Sequence, residues 1–367
     1  MKRILAVLLL CALLTACKSQ SVEVTSPSPA PTATPTAELT AAPTPTPTPT
    51  VEPTATPTPT PVVVGNISVP YGTESLDLGN SPYTIEEVAE VKRQCPNISI
   101  LWTFEFYGRT LCTADEGEID LSYIEVSDLS ELQNALSLFE NAASVNLSFC
   151  SLSNEELASL REQTDNIKVV WTVVLRYNRW SVRTDMVAFS TKQYDPPDFP
   201  LTSEHVDPLR YCTELVALDL GHNHISDLSF LEGLTNLKVL ILADNRISDI
   251  SSIAKLEKLM YLEIFKNSIT DLSPIENMDT LVDVNFGFNP IENIEPLFSC
   301  DNLERIWMRT NTLLVSQEDQ DRLIAAFPNA TIDFRDKGAT AGGWRDHPRY
   351  TAYIKMFDEN IVVSPFD

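Results

Sequence analysis

The chain has 367 residues, a formal net charge of −25 at pH 7 and a hydrophobic fraction of 43%. An acidic surface of that size argues against a nucleic-acid partner and against attachment to anionic lipid by charge alone. No stretch past the N-terminus approaches the ~20 apolar residues that a membrane-spanning helix needs.

Lys2 and Arg3 open the chain, Ile4 to Leu14 form a short uncharged apolar run, and Leu14-Thr15-Ala16-Cys17 ends it. This order of charge, apolar core and small residues predicts a cleavable export signal over 1–16. Its end resembles the lipobox of bacterial lipoproteins. The resemblance implies that Cys17 becomes the first mature residue and carries a diacylglyceryl (palmitate-class) anchor on the outer face of the cell membrane. Residues 17–65 are rich in Thr, Pro, Ala and Ser, with Thr-Pro dipeptides running from Pro43 to Thr50 and from Thr56 to Pro61. Proline fixes φ and removes the amide donor, and too little here is apolar to offset the entropy of ordering. The segment is expected to be a disordered, polyproline-II-like stalk that reaches on the order of 100 Å.

Residues 66–212 are read as long, helix-containing repeats. Glu86-Glu87-Val88 precedes Asn97-Ile98 and Trp102-Thr103, and Glu155-Glu156-Leu157 precedes Asn166-Ile167 and Trp171-Thr172, 69 residues later. Each copy predicts a helix (about 85–94 and 154–163) that feeds a strand. After each Trp a second strand-like stretch (Arg109 to Thr113, Trp180 to Thr184) predicts a projecting hairpin. Between them, Ile119-x-Leu121-x-x-Ile124-x-Val126 matches Val145-x-Leu147-x-x-Cys150-x-Leu152 at an offset of 26.

Residues 213–314 carry the clearest signal. Leu215, Leu237, Leu259, Leu281 and Leu303 recur every 22 residues, and each opens a pattern of the form Leu-x-x-Leu-x-Leu-x-x-Asn that ends on Asn223, Asn245, Asn267, Asn289 or Asn311. The period lies in the leucine-rich-repeat range. Alternation within Leu-x-Leu is one short strand with its apolar side inward, so stacked units build a parallel sheet along a concave face with a continuous core behind it. Each unit has no room for a full helix on its other side, which predicts extended or 3₁₀ turns there. The asparagines, able to donate and accept at once, form a structural ladder that satisfies backbone groups freed where each strand bends away. The fold class is therefore α/β, a leucine-rich-repeat solenoid. Asn223 to Leu228 and Asn245 to Ile250 give it a form that resembles internalin-type repeats. Together with the lipobox, the stalk and Gly342-Gly343-Trp344-Arg345-Asp346-His347-Pro348-Arg349-Tyr350, the chain is similar to leucine-rich-repeat lipoproteins of Firmicutes. That resemblance implies a Gram-positive cell surface, and it specifies a fold rather than a ligand.

Residues 315–335 read as a closing long unit: Ser316 as N-cap, a helix from Gln317 to Phe327, and a strand from Thr331 to Phe334. Residues 336–367 are a tail or cap, loosened by Gly338 to Gly343.

Little here points to chemistry. Cys95, Cys212 and Cys300 fall three residues before a strand position, in a slot that Leu234, Leu256 and Met278 fill elsewhere, so they read as buried apolar side chains. Cys150 takes an asparagine-like bend position, and Cys112 has no phase. His222 and His224 straddle a ladder asparagine without a third metal ligand at suitable spacing. The catalytic loops of hydrolases, nucleotide-binding proteins and zinc proteases are missing. The expectation is a binding protein, not an enzyme, with no cofactor and no metal.

The outward strand positions form a column, Asp219, Ile241, Glu263, Asn285 and Trp307, flanked by Tyr261, Phe265, Phe288, Arg305 and Arg309. Aromatic side chains with arginine have the composition of a recognition patch. Tyr261, Phe265, Phe288, Trp307, Arg305 and Arg309 are thus the candidate residues for a protein or glycan ligand. Cover by the C-terminal tail and binding through the hairpins stay open beside it. The competing function is a structural or assembly accessory of the envelope with no dedicated concave-face ligand.

Overall fold

A computed structural model describes residues 60–177, 179–191, 199–309, 314–334, 338, 340 and 343–363. The export signal, Cys17 and Asn311 lie outside these. The first described strand falls inside the segment read as stalk: β1 (Val62–Val64) pairs antiparallel with β2 (Ile67–Val69). Ile67 and Val69 are buried there and Val62 and Val64 pack half-buried against the same core, while Val63 is exposed, so this strand belongs to the repeats and not to the linker.

Helix–strand units with hairpins come next. β3 (Ser75–Gly79) leads through α1 (Ile85–Gln94) into β4 (Ser99–Phe106), which turns back as β5 (Arg109–Cys112). β6 (Gly117–Asp120), β7 (Ala142–Asn146) and β8 (Lys168–Val170) form a parallel sheet, with α2 (Leu129–Leu136) and α3 (Asn154–Glu162) in the connections. A second hairpin, β9 (Thr172–Arg176) with β10 (Trp180–Arg183), follows β8. The hairpins leave the repeats by the same device. The Trp102 and Trp171 amides are held by the Thr113 and Thr184 hydroxyls, at 3.0 and 3.2 Å. One acid of each Glu-Glu pair serves the helix itself, since Glu87 and Glu156 close capping boxes with Thr84 and Ser153.

Next comes a seven-stranded parallel sheet in sequence order. Its strands are β11 (Ala188–Ser190), β12 (Ala217–Asp219), β13 (Val239–Ile241), β14 (Tyr261–Glu263), β15 (Asp283–Asn285), β16 (Arg305–Trp307) and β17 (Thr331–Asp333). A short helix α4 (Ser203–Val206) lies between β11 and β12, and α5 (Gln317–Ala326) between β16 and β17. Ser316 caps α5 by accepting from the Asp319 amide. The short repeats return through 3₁₀ turns at Ser229–Gly233, Ser251–Lys255, Ser273–Ile275 and Glu295–Ser299. Leu215, Leu237, Leu259 and Leu281 are fully buried between sheet and turns, each contributing roughly 1.5–3 kcal/mol. Cys212 and Cys300 fill the same core, and burial pushes the Cys212 thiol up to about 12.

The ladder is continuous over its four described members. Asn245 donates to the carbonyls of Leu220 (2.9 Å) and Leu242 (3.1 Å) and accepts from the Ile225 amide (2.9 Å), tying one turn to the next. Asn267 and Asn289 repeat the arrangement one unit on. Asn223 accepts from Leu201 instead. Asn245→Ala leaves three backbone groups without that partner and is expected to cost about 1–3 kcal/mol, read as a lower urea midpoint with the slope unchanged.

Candidate functional site

Three outward columns run across the seven-stranded sheet. The first is Ala188, Ala217, Val239, Tyr261, Asp283 and Arg305, and the second is Ser190, Asp219, Ile241, Glu263, Asn285 and Trp307. The third, beyond the strands, holds Ala243 and Phe265 before Arg309. Small apolar side chains at one end thus give way to aromatic and charged ones at the other.

None of this faces solvent. A tail beginning at Gly343 and Trp344 leads into α6 (Pro348–Glu359), which lies over the sheet. Trp344, Tyr353, Met356 and Phe357 join Ala188, Ala217, Val239, Ile241, Ala243, Tyr261, Phe265 and Trp307 in a second apolar core, separate from the one between sheet and turns. Trp344 packs at a tilt against Tyr261 and Trp307, with ring centroids 5.3 and 5.1 Å away, and Tyr353 lies 4.5 Å from Tyr261.

The two carboxylates buried in this core are both paired, as burial requires. Glu263, fully buried, accepts from the Tyr261 hydroxyl and the Trp344 indole, both at 2.6 Å, and forms an ion pair with Arg345. Asp283, also fully buried, pairs with Arg305 (3.3 Å) and with Arg349 of the tail (2.8 Å). Arg305 also donates to the Trp344 carbonyl (2.6 Å) and lies 4.4 Å over the Trp344 ring. Arg309 donates to the Gly338 carbonyl and pairs with Asp333. At the far end, Asn360 adopts the left-handed conformation that ends a helix and accepts from the Val187 (2.9 Å) and Ala188 (3.1 Å) amides. The geometry closes because a helix rises about 1.5 Å per residue and strands lie about 4.8 Å apart. The eleven rises from Arg349 to Asn360 thus cover nearly the four spacings from β15 back to β11.

Tyr261, Phe265, Trp307, Arg305 and Arg309 are therefore gathered on one face as the sequence predicts, but as an exposed patch they are corrected: the tail buries all five. Phe288 is not with them. It occupies the left-handed bend before Asn289 (φ 57°) and is half-buried. The residues that sequence reasoning missed are in the tail. Pro348 at the first turn of a helix, with Tyr350, Tyr353, Met356 and Phe357 on one face, is the signal that would have found α6. His222 is engaged by Asp244 at 3.0 Å, and among the described residues no group of three metal-ligating side chains occurs.

Burial raises the Asp283 carboxyl above its usual range, against the pull of Arg305 and Arg349. Burial, then Glu263, raises the Tyr261 phenol well above its ordinary 10; burial, then Asp283, raises Tyr353. Both phenols are neutral in the docked state. Because their folded values lie above the unfolded one, their contribution to docking is complete below pH 10 and is lost as pH rises through the raised values. Tryptophan emission should shift to the red above about pH 10 while the far-UV signal of the solenoid persists. Tyr353→Phe should move that transition to higher pH; an unchanged transition would mean that this phenol does not govern tail release.

Residues 213–255 and 235–277 match the family model of leucine-rich repeats in two copies. Among solved structures, the chain is similar to internalin C2 of Listeria monocytogenes, at 22% identity over 60% of this chain and 79% of that one, with a TM-score of 0.32. It is also similar to a second Listeria monocytogenes internalin (19% identity, 73% and 84% covered, TM-score 0.32). A leucine-rich-repeat protein of Leptospira interrogans gives 17% identity, 71% and 72% coverage and a TM-score of 0.31. No curated protein sequence matches the chain. The family match identifies the repeats and says nothing of a ligand.

Proposed function

We propose that this protein is a lipid-anchored binding protein of the bacterial cell surface, held off the membrane by its Thr-Pro stalk, whose solenoid recognises a protein ligand. The observation that carries this reading is the groove over β11 to β16. It is lined by Tyr261, Trp307, Glu263, Asp283 and Arg305, and its occupant is an amphipathic helix bearing aromatic and arginine side chains. A groove shaped for such a helix in its own chain has the chemistry to take one from a partner. Tyr261, Phe265, Trp307, Arg305 and Arg309 would then be the ligand-contacting residues, with the tail as the resident competitor. Phe288 would contact a ligand only at the rim.

Trp344→Ala/Tyr353→Ala in the full chain should loosen the tail and raise the affinity for a labelled synthetic peptide of residues 343–363 at least tenfold, read by fluorescence anisotropy. Adding Trp307→Ala should abolish the gain. No gain in the double variant would sink the groove reading. It would favour the second reading, a structural accessory of the envelope, which the complete burial of Trp344 and Tyr353 supports.

The anchor is tested separately. Cys17→Ser should eliminate incorporation of labelled palmitate and move the protein from the membrane fraction to the medium; a variant retained in the membrane would overturn the lipid assignment.

A further inference from the structure

The open half of the solenoid carries a feature that neither packing nor turn geometry explains. Tyr123 and Phe149 occupy equivalent bends after β6 and β7, with φ of 61° and 59°. In later repeats the same left-handed bend holds His222, Asp244, Lys266 and Phe288. The bend therefore demands this conformation, which favours Gly or Asn and is costly for an aromatic side chain. Nor does burial offset the cost, since Tyr123 is 70% exposed and Phe149 47%. Their rings stack on each other in solvent, 5.1 Å apart and 22° from parallel.

The pair sits between the two hairpins. On one side Arg109 of β5 donates to the Ser122 carbonyl (3.2 Å), and on the other Thr172 of β9 meets the Ser148 hydroxyl (2.9 Å). The Asp120 and Asn146 side chains brace the two bends, accepting from the Ser122 and Ser148 amides at 2.9 and 3.0 Å. The chain around them is strongly acidic: from residue 105 to 131 there are eight Asp and Glu and one basic residue, Arg109, and of these acids Glu118 is paired with Arg183 of β10. Elsewhere the protein covers aromatic rings with its own arginines. Arg176 and Arg179 lie over Phe199 at 5.0 and 5.2 Å, and Arg161 over Trp171 at 4.9 Å. At Tyr123 and Phe149 the nearest base in sequence is directed at a carbonyl.

We propose that the Tyr123–Phe149 stack, with the carboxylates of Asp120 and Glu125 close by in the chain, is a docking site for a Lys- or Arg-bearing segment of a protein partner. A guanidinium or ammonium group would lie on the exposed ring faces while these carboxylates draw the basic segment in. This site lies outside the tail-covered groove and does not depend on it.

The test uses the full chain and a fluorescent nona-arginine peptide as probe, followed by anisotropy at low and physiological salt. Tyr123→Asn/Phe149→Asn leaves the net charge unchanged and suits the left-handed bends, so its Tm should equal or exceed that of the parent. Its affinity for the peptide should fall about fivefold or more, the scale of a cation–π contact. Tyr123→Phe/Phe149→Tyr, which keeps both rings, should retain binding, and Phe199→Asn should leave it unchanged. Equal affinities of parent and double Asn variant would reduce the attraction to net charge and overturn the proposal. So would a double Asn variant that loses binding to cellohexaose while keeping the peptide, which would make the stack a saccharide platform.

Discussion

A chain that leaves a parallel sheet every 22 residues frees an amide and two carbonyls at each departure, and all lie at the edge of an apolar core. The asparagine carboxamide meets that demand because one short side chain donates twice and accepts once. Asn245 shows the consequence: it binds Leu220 and Ile225 of the turn before and Leu242 of its own. Each repeat is thus completed by its neighbour. The leucines, the 3₁₀ returns and the strand register follow once that link is in place, which makes the best-looking polar residues in the sequence scaffold.

The tail solves a different problem. The sheet face from β11 to β16 is too apolar and aromatic to be left to water, and it also carries Glu263 and Asp283, fully buried. Buried ion pairs add little net stability, because desolvation offsets their attraction. Their contribution here is to fix where the helix lies: Arg345 must meet Glu263 and Arg349 must meet Asp283. Apolar contact supplies the adhesion and the charges supply the register.

The solenoid is readable because its signal is periodic. Five copies at constant phase locate β12 to β16, the four described ladder asparagines and the inward leucines, and the paired Trp-Thr stretches point to both hairpins; β11, which carries no such phase, goes unmarked. The candidate patch is legible only in part. Strand alternation puts Tyr261 and Trp307 on one face, yet alternation cannot tell a face that meets water from one that meets another segment of the chain. That distinction rests on residues 81 positions away in sequence, since Glu263 is answered by Trp344. Phe288 falls outside the patch for a local reason: it follows the strand by enough residues to enter the bend. The valines from Val62 to Val64 read as stalk because proline-rich composition dominates the window around them.

The pairing of a fixed helix with a stacked sheet has one more consequence. α6 is held near β15 by Arg349 and at β11 by Asn360, so its length is matched to a set number of strand spacings. Repeat arrays ordinarily grow or shrink by duplicating or deleting a unit. Between β11 and β15 that freedom is lost: one unit more, and the helix falls a full strand short of one of its two moorings. The tail acts as a gauge that pins the repeat number, and an array free to vary in length must do so outside the span that the gauge measures.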